Sequence, residues 1–174
     1  NKNSVPTEGL VYGQNANGTY YVKEYTGNNA AIFIPAEYEG KAVTGIASRA
    51  FENKTFIKYV CVPDTVTAIG QSAFRGCTSI EAITLPFVGG SDGSSNSYLG
   101  FIFGASGYAG NEQWVPASLK TVELSDACAL VPAYSFQGCA NIAEIKLGAN
   151  VAEIGSSAFR GCKSLVGIYL PSSV

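Results

Sequence analysis

The chain has 174 residues, 47% of them apolar and only 14% charged, with 11 basic against 13 acidic side chains and a net charge of −2. That length suffices for one domain with a buried core. The thin, even spread of charge excludes a phosphate-neutralising stripe and hence a nucleic-acid partner, and no apolar run reaches the ~20 residues that a membrane-spanning helix needs. His is absent, which excludes His-based triads, His metal sites and imidazole proton shuttles.

The opening "NKNSVPTEGL" shows no signal-peptide pattern and the chain has no Met, so it reads as a processed or excised piece. Residues 8–30 then give "GLVYGQ" and "TYYVKEY", both rich in β-formers, on either side of "NANG". That pattern predicts a hairpin. A stack of repeats needs its first layer covered, and residues 1–30 are read as that N-terminal β-hairpin cap.

From residue 31 onward the chain repeats itself. "IGQSAFRGCTSIEAITLP" at 69–86 returns as "IGSSAFRGCKSLVGIYLP" at 154–171, identical at twelve of eighteen positions. Aligned on Phe51, Phe74, Phe136 and Phe159, the gaps are 23, 62 and 23 residues. Apolar columns hold in every copy. Val43, Val66, Cys128 and Val151 stand eight residues before the Phe, and Ile46, Ile69, Val131 and Ile154 five before. Ile57, Ile80, Ile142 and Leu165 follow at +6, Val60, Ile83, Ile145 and Ile168 at +9, and Val62, Leu85, Leu147 and Leu170 at +11. The 62-residue gap divides into 23 and 39, with one stretched coil whose strand "LKTVELS" places Leu119, Val122 and Leu124 in the same columns.

A fixed period of this size marks a solenoid, because one coil cannot bury its apolar side alone and stacked coils share a core. The ending apolar-x-apolar predicts a short strand with one face inward. The Gly two residues after the Phe (Gly76, Gly138, Gly161) suits a turn with positive φ. The first coil, "IFIPAEYEGKAVTGIASRAF", is five residues longer than the norm, and the last, ending "LPSSV", begins another repeat at Val174, so the C-terminal end reads as uncapped.

The stretched coil carries an insertion at 87–115 with seven Gly and six aromatics, including the only Trp. Two readings stand side by side. In one, "LGFIFGA" replaces the missing "IGxxAF" and the aromatics pin the loop. In the other, the loop presents Tyr98, Tyr108 and Trp114 to a ligand, since amphipathic aromatics recur at contact sites.

Other motifs are weak. Cys77, Cys139 and Cys162 follow the repeat period without a CxxC pair, so they read as buried free thiols rather than a zinc site. Cys61, between Val60 and Val62, should point outward and be the thiol that reagents reach. Glu123 and Glu144 on neighbouring strands could suffice for glycoside hydrolysis, but Lys146 aligns with Glu123 and cross-strand charge pairing is the ordinary reading.

The repeats "IGQSAFRGC…ITLP" and "IGSSAFRGC…IYLP" resemble the BspA-type leucine-rich repeats of bacterial surface and secreted proteins, over residues 31–174. The chain departs from that pattern at Gln113, which stands where the stretched coil should carry its Phe, and at Pro132, which replaces the usual Gly. The resemblance implies an α/β-type solenoid: a right-handed stack with short parallel strands on one face and short helical or 3-10 turns on the other. It also implies a secreted or cell-surface location, recognition or adhesion, no cofactor and no catalytic or metal-binding residues. The partner expected is a host or matrix protein, or a glycan, held by the concave strand face, the insertion, or both. The alternative is a structural spacer with no ligand of its own. The outward columns of the strands supply the candidate contacts Tyr59, Thr84, Glu123, Glu144, Lys146 and Tyr169, and the insertion supplies Tyr98, Tyr108 and Trp114. The expected state is a monomer, or weak self-association through the uncapped end.

If like residues stack in the interior, Phe74→Ala removes one whole layer of packing. Chemical denaturation should then show a loss of roughly 3–5 kcal/mol, and an unchanged midpoint would contradict the stacking.

Overall fold

The architecture follows from strands too short to stand alone. A computed structural model describes residues 5–174. Thirteen strands occur among them: β1 (Leu10–Gln14), β2 (Tyr20–Tyr25), β3 (Ala31–Phe33), β4 (Glu37–Tyr38), β5 (Lys41–Ile46), β6 (Tyr59–Cys61), β7 (Ala68–Ile69), β8 (Ala82–Leu85), β9 (Thr121–Leu124), β10 (Leu130–Val131), β11 (Glu144–Lys146), β12 (Glu153–Ile154) and β13 (Gly167–Tyr169). Six of them form one parallel sheet in the order β13-β11-β9-β8-β6-β3. One strand per coil, each beside its sequence neighbour in the sheet, is the topology of a repeat solenoid. The register is that of the repeat: Ile32, Val60, Ile83, Val122, Ile145 and Ile168 face one another across successive strands. The first five of these are buried.

The return path of each coil is made of turns. The amide before each Phe donates to the carbonyl three residues earlier (Ala50 to Ala47, Ala73 to Gly70, Ser135 to Pro132, Ala158 to Gly155). A second turn links the residue after the Phe to the one two before it (Glu52 to Arg49, Arg75 to Ser72, Gln137 to Tyr134, Arg160 to Ser157). Regular helix is therefore absent from these coils, contrary to the helical or 3-10 expectation. Among the described residues, 3-10 segments occur only inside the insertion, at Leu99–Phe103 and Tyr108–Gly110, with one four-residue α-helix, α1 (Asn111–Trp114). Two positions in each coil need positive φ. The position two after the Phe is Asn53 in the first coil and Gly76, Gly138 and Gly161 in later ones, all between 60° and 77°, and Gly and Asn are the residues that tolerate it. The position two before the Phe is equally left-handed, yet is filled by Arg49, Ser72, Tyr134 and Ser157.

Aromatic rings line the interior in two runs, one on each side of the insertion's end. Tyr25 lies 5.5 Å from Phe51, Phe51 stacks on Phe74 at 4.9 Å, Phe74 meets Phe103 at 6.4 Å, and Phe136 stacks on Phe159 at 5.6 Å. Phe103, from "LGFIFGA", thus holds the row where the stretched coil has no AF motif, and Gln113 is exposed. The stretched coil is tied to the next by Asn111, which is wholly buried: its Oδ1 accepts from the Gly100 amide at 2.7 Å and its Nδ2 donates to the Ser135 carbonyl at 3.2 Å. The amide side chain supplies an acceptor to the Gly100 amide and a second donor to the Ser135 carbonyl, which also accepts from the Leu99 amide at 2.9 Å.

At the other end, β1 and β2 form an antiparallel hairpin and β2 runs parallel to β5, so that Val22 and Tyr25 are buried against the first coil. Residues 1–4 lie outside the described residues. The extra length of the first coil is a tight hairpin between β4 and β5, with Glu39 and Gly40 both at positive φ, the signature of a primed two-residue turn. In the last coil the apolar side chains of Val166, Leu170 and Val174 remain exposed.

The departure at Pro132 has a steric reason. A Cβ on Gly70 would sit 2.2 Å from the Ser48 amide nitrogen, and one on Gly155 would sit 2.2 Å from that of Ala133. Both clashes are with the preceding regular coil. The two coils without Gly here, at Ala47 and Pro132, are the two that follow an irregular neighbour, the hairpin and the insertion. Gly155→Ala is therefore expected to cost roughly 1–3 kcal/mol by overpacking, while Ala47→Gly costs no more than about 1 kcal/mol. Urea unfolding of the two variants checks this; equal losses would contradict it.

Candidate functional site on the strand face

Alternation within each short strand sends the side chains flanking the inward Ile or Val of the register outward. One outward column reads Ala31, Tyr59, Ala82, Thr121, Glu144, Gly167 and the other Phe33, Cys61, Thr84, Glu123, Lys146, Tyr169. Six of the nine candidate contacts, Tyr59, Thr84, Glu123, Glu144, Lys146 and Tyr169, therefore lie on one face. Tyr169 is 85% exposed and Tyr59 48%. The Tyr59 hydroxyl donates to Glu81 at 3.1 Å, and the same carboxylate pairs with Lys58 at 3.3 Å. Lys146 does not pair with Glu123 across the strands. Its ammonium lies 3.8 Å from Glu144 on its own strand, since residues two apart share a strand face.

The insertion aromatics are elsewhere. Tyr98 is only 6% exposed and its hydroxyl donates to the Ala105 carbonyl at 3.3 Å, so it is a core residue and not a ligand contact. Trp114 is partly buried, packs against Gly104 and lies 5.3 Å beneath the Arg75 guanidinium. Tyr108 is exposed but stacks on Tyr134 at 4.6 Å. Arg75 and Tyr134 belong to the AF turns, so Tyr108 and Trp114 sit on the turn side of the coil, separate from the strand face.

Sequence reasoning missed a groove of about 640 Å³ that runs along the carboxyl ends of the strands, from Phe33 past Thr84 to Lys146. The insertion creates it. After β8 the chain turns inward through residues 86–90, all buried, instead of forming an exposed post-strand turn. The turns on either side then meet above that depression, where the Ser125 hydroxyl donates to Asp64 at 2.5 Å. Asp126, beside it, accepts from the Ala149 amide at 2.7 Å. A signal for this was present in the sequence: "LPFVGG" puts apolar residues and Gly where the coils on either side carry "VPDT" and "LSDA".

The five thiols are free. Cys77 and Cys162 direct Sγ at the carbonyl of the preceding coil's Phe, at 3.0 and 3.2 Å, and burial pushes the Cys77 thiol up to about 12 and that of Cys128 up to about 11. Cys61 lines the groove but is half-buried rather than open. Burial raises its pKa above the ordinary thiol value, and the Glu123 and Asp64 carboxylates add to the shift. Alkylation proceeds through the thiolate, so Cys61 should react more slowly at pH 8 in the folded chain than in the unfolded one. The gap should narrow as pH rises above the ordinary thiol range, while Cys77 and Cys128 stay unmodified. Peptide mapping after timed iodoacetamide treatment checks this; rapid labelling of Cys77 in the folded chain would contradict it.

Comparison with known proteins bears on the scaffold. No curated protein matches the chain. Among solved structures, it is similar to a T. pallidum leucine rich repeat protein, at 23% identity over 97% of this chain and 72% of that one, TM-score 0.49. It is also similar to a leucine rich cell surface protein from Faecalibacterium prausnitzii, at 23% identity over 94% and 53%, TM-score 0.49. A leucine-rich repeat protein from Eubacterium ventriosum, at 18% identity over 94% and 46%, TM-score 0.54, shares the fold. The chain thus spans about half the length of the last two proteins. The family model described as "BspA type Leucine rich repeat region" matches residues 40–90 and 110–174 in six copies. The two matched segments reach into both ends of the insertion and leave its middle unmatched, and with the coil register described above they place the chain in the BspA-type leucine-rich repeat family.

Proposed function

We propose that this chain is an extracellular interaction or adhesion module that binds a host or matrix protein, or a glycan, through its concave strand face. One observation carries the reading: six parallel strands present their outward columns as a single exposed face, with Tyr59, Glu123, Glu144, Lys146 and Tyr169 across it. Stacked strands of this kind form the extended binding surfaces of solenoid proteins, and leucine-rich-repeat proteins often mediate protein interactions. Membership of the BspA-type family supports a secreted or cell-surface location. The hairpin β1–β2 serves as the cap of the first coil, which the burial of Val22 and Tyr25 against β5 and Phe51 supports.

The reading is of binding rather than catalysis. The carboxylates with the best claim to hydrolytic chemistry, Glu123 and Glu144, are both exposed, and Glu144 is engaged by Lys146. The spacer alternative draws on the small side chains at the centre of the face, Ala82, Thr84 and Thr121, which leave the larger contacts toward the two ends.

The two readings separate in a pull-down from matrix-protein and glycan preparations. The wild-type chain should retain a ligand that Tyr169→Ala/Glu123→Ala loses, while Tyr108→Ala on the turn side retains it. Recovery by neither chain would favour the spacer, and equal recovery by wild type and the face variant would overturn the strand face as the contact surface.

A further inference from the structure

The groove at the carboxyl ends of the strands is more specific than the face around it. Its lining comes from the coils of β3, β6, β8, β9 and β11, which are consecutive neighbours in the sheet. Four strand steps of about 4.8 Å give a length of roughly 19 Å. The outward column from Phe33 to Lys146 forms one wall, and the post-strand turns carrying Pro63, Asp64 and Asp126 form the other. Phe33, Pro35, Leu124 and Leu147 make part of the lining apolar.

The charge in the groove is one-sided. Three carboxylates, Asp64, Glu123 and Asp126, line it against one cation, Lys146, and that cation is already paired with Glu144. Two of the carboxylates are fixed in place, Asp64 by the Ser125 hydroxyl and Asp126 by the Ala149 amide. Each such bond occupies one acceptor site of an oxygen pair that offers about four. The groove therefore presents immobile negative charge beside apolar surface, which complements basic side chains alternating with apolar ones.

We infer that this groove holds an extended segment of a partner protein, about six residues long at ~3.3 Å per residue, carrying Arg or Lys among apolar residues. This rests on the reading of the chain as an interaction module and names the chemistry of its partner: a basic peptide segment.

The test uses fluorescein-labelled hexapeptides with blocked termini, in which two Arg, two Gln or two Glu are set among Val, Pro and Tyr, titrated against the intact chain by fluorescence anisotropy. The Arg set should bind, the Gln set should bind roughly tenfold more weakly, and the Glu set should not bind. Glu123→Gln/Asp126→Asn keeps the acceptor to Ala149 and should weaken the Arg set roughly tenfold, with circular dichroism unchanged, whereas Tyr108→Ala should leave it alone. Added salt should weaken binding, because these charges are open to solvent. Absence of binding by all three sets, preference for Glu, or equal Arg affinity in the charge-neutralised variant would overturn the inference. If the matrix or glycan pull-down succeeds while the peptides fail, only the groove assignment falls; if the peptides bind and the pull-down fails, the matrix or glycan ligand falls and the groove stands.

Discussion

Each coil of this protein is completed by its neighbour. The Phe51 amide donates to Ala73, the Phe74 amide to Ile102 and the Phe136 amide to Ala158, one coil further along in each case. A 23-residue coil folded alone would leave these amides and the ring beside them unpaired, at a cost of about 1–3 kcal/mol for each buried polar group. Stacking satisfies the backbone and buries the apolar columns in the same step. The hairpin obeys the same constraint: the Tyr25 amide donates to Ala50, and its ring joins the aromatic row.

That constraint explains which parts of the structure were legible in the sequence. A column that serves every coil is written several times, so the strand registers, the inward Phe row and the positive φ at Gly76, Gly138 and Gly161 could be read without coordinates. Features used once were harder to see. The left-handed residue two before the Phe gives no signal, because Arg49, Ser72, Tyr134 and Ser157 share no chemistry and the surrounding turns impose the conformation. The Asn111 bridge exists only because the insertion interrupts the backbone ladder. The helical element expected for each coil failed because a family-level expectation was carried onto a path that consecutive turns complete.

The candidate site was legible to a lesser degree. Period 2 within a strand tells which side chains point outward, and the two outward columns could be read from Tyr59 and Cys61 onward, though not their first members Ala31 and Phe33. It does not tell which neighbour a long side chain reaches, so Lys146 was matched to Glu123 although its partner is Glu144. Nor does composition separate an aromatic that fills a gap from one that faces a ligand: Tyr98 and Tyr108 stand ten residues apart, and only Tyr108 is exposed. The groove is harder to read, because its floor is made by an absence, the post-strand turn that the stretched coil folds inward, and "LPFVGG" is its one trace in the sequence.

Backbone hydrogen exchange tests the stacking account most directly. The amides of Phe51, Phe74 and Phe136 are buried and bonded to the next coil, so they should exchange as slowly as the amides of the central strands Ala82–Leu85 and Thr121–Leu124 and report opening of the whole stack. Exchange at the rate of the exposed loop around Gly93 would show that the coils open independently, and would contradict the account.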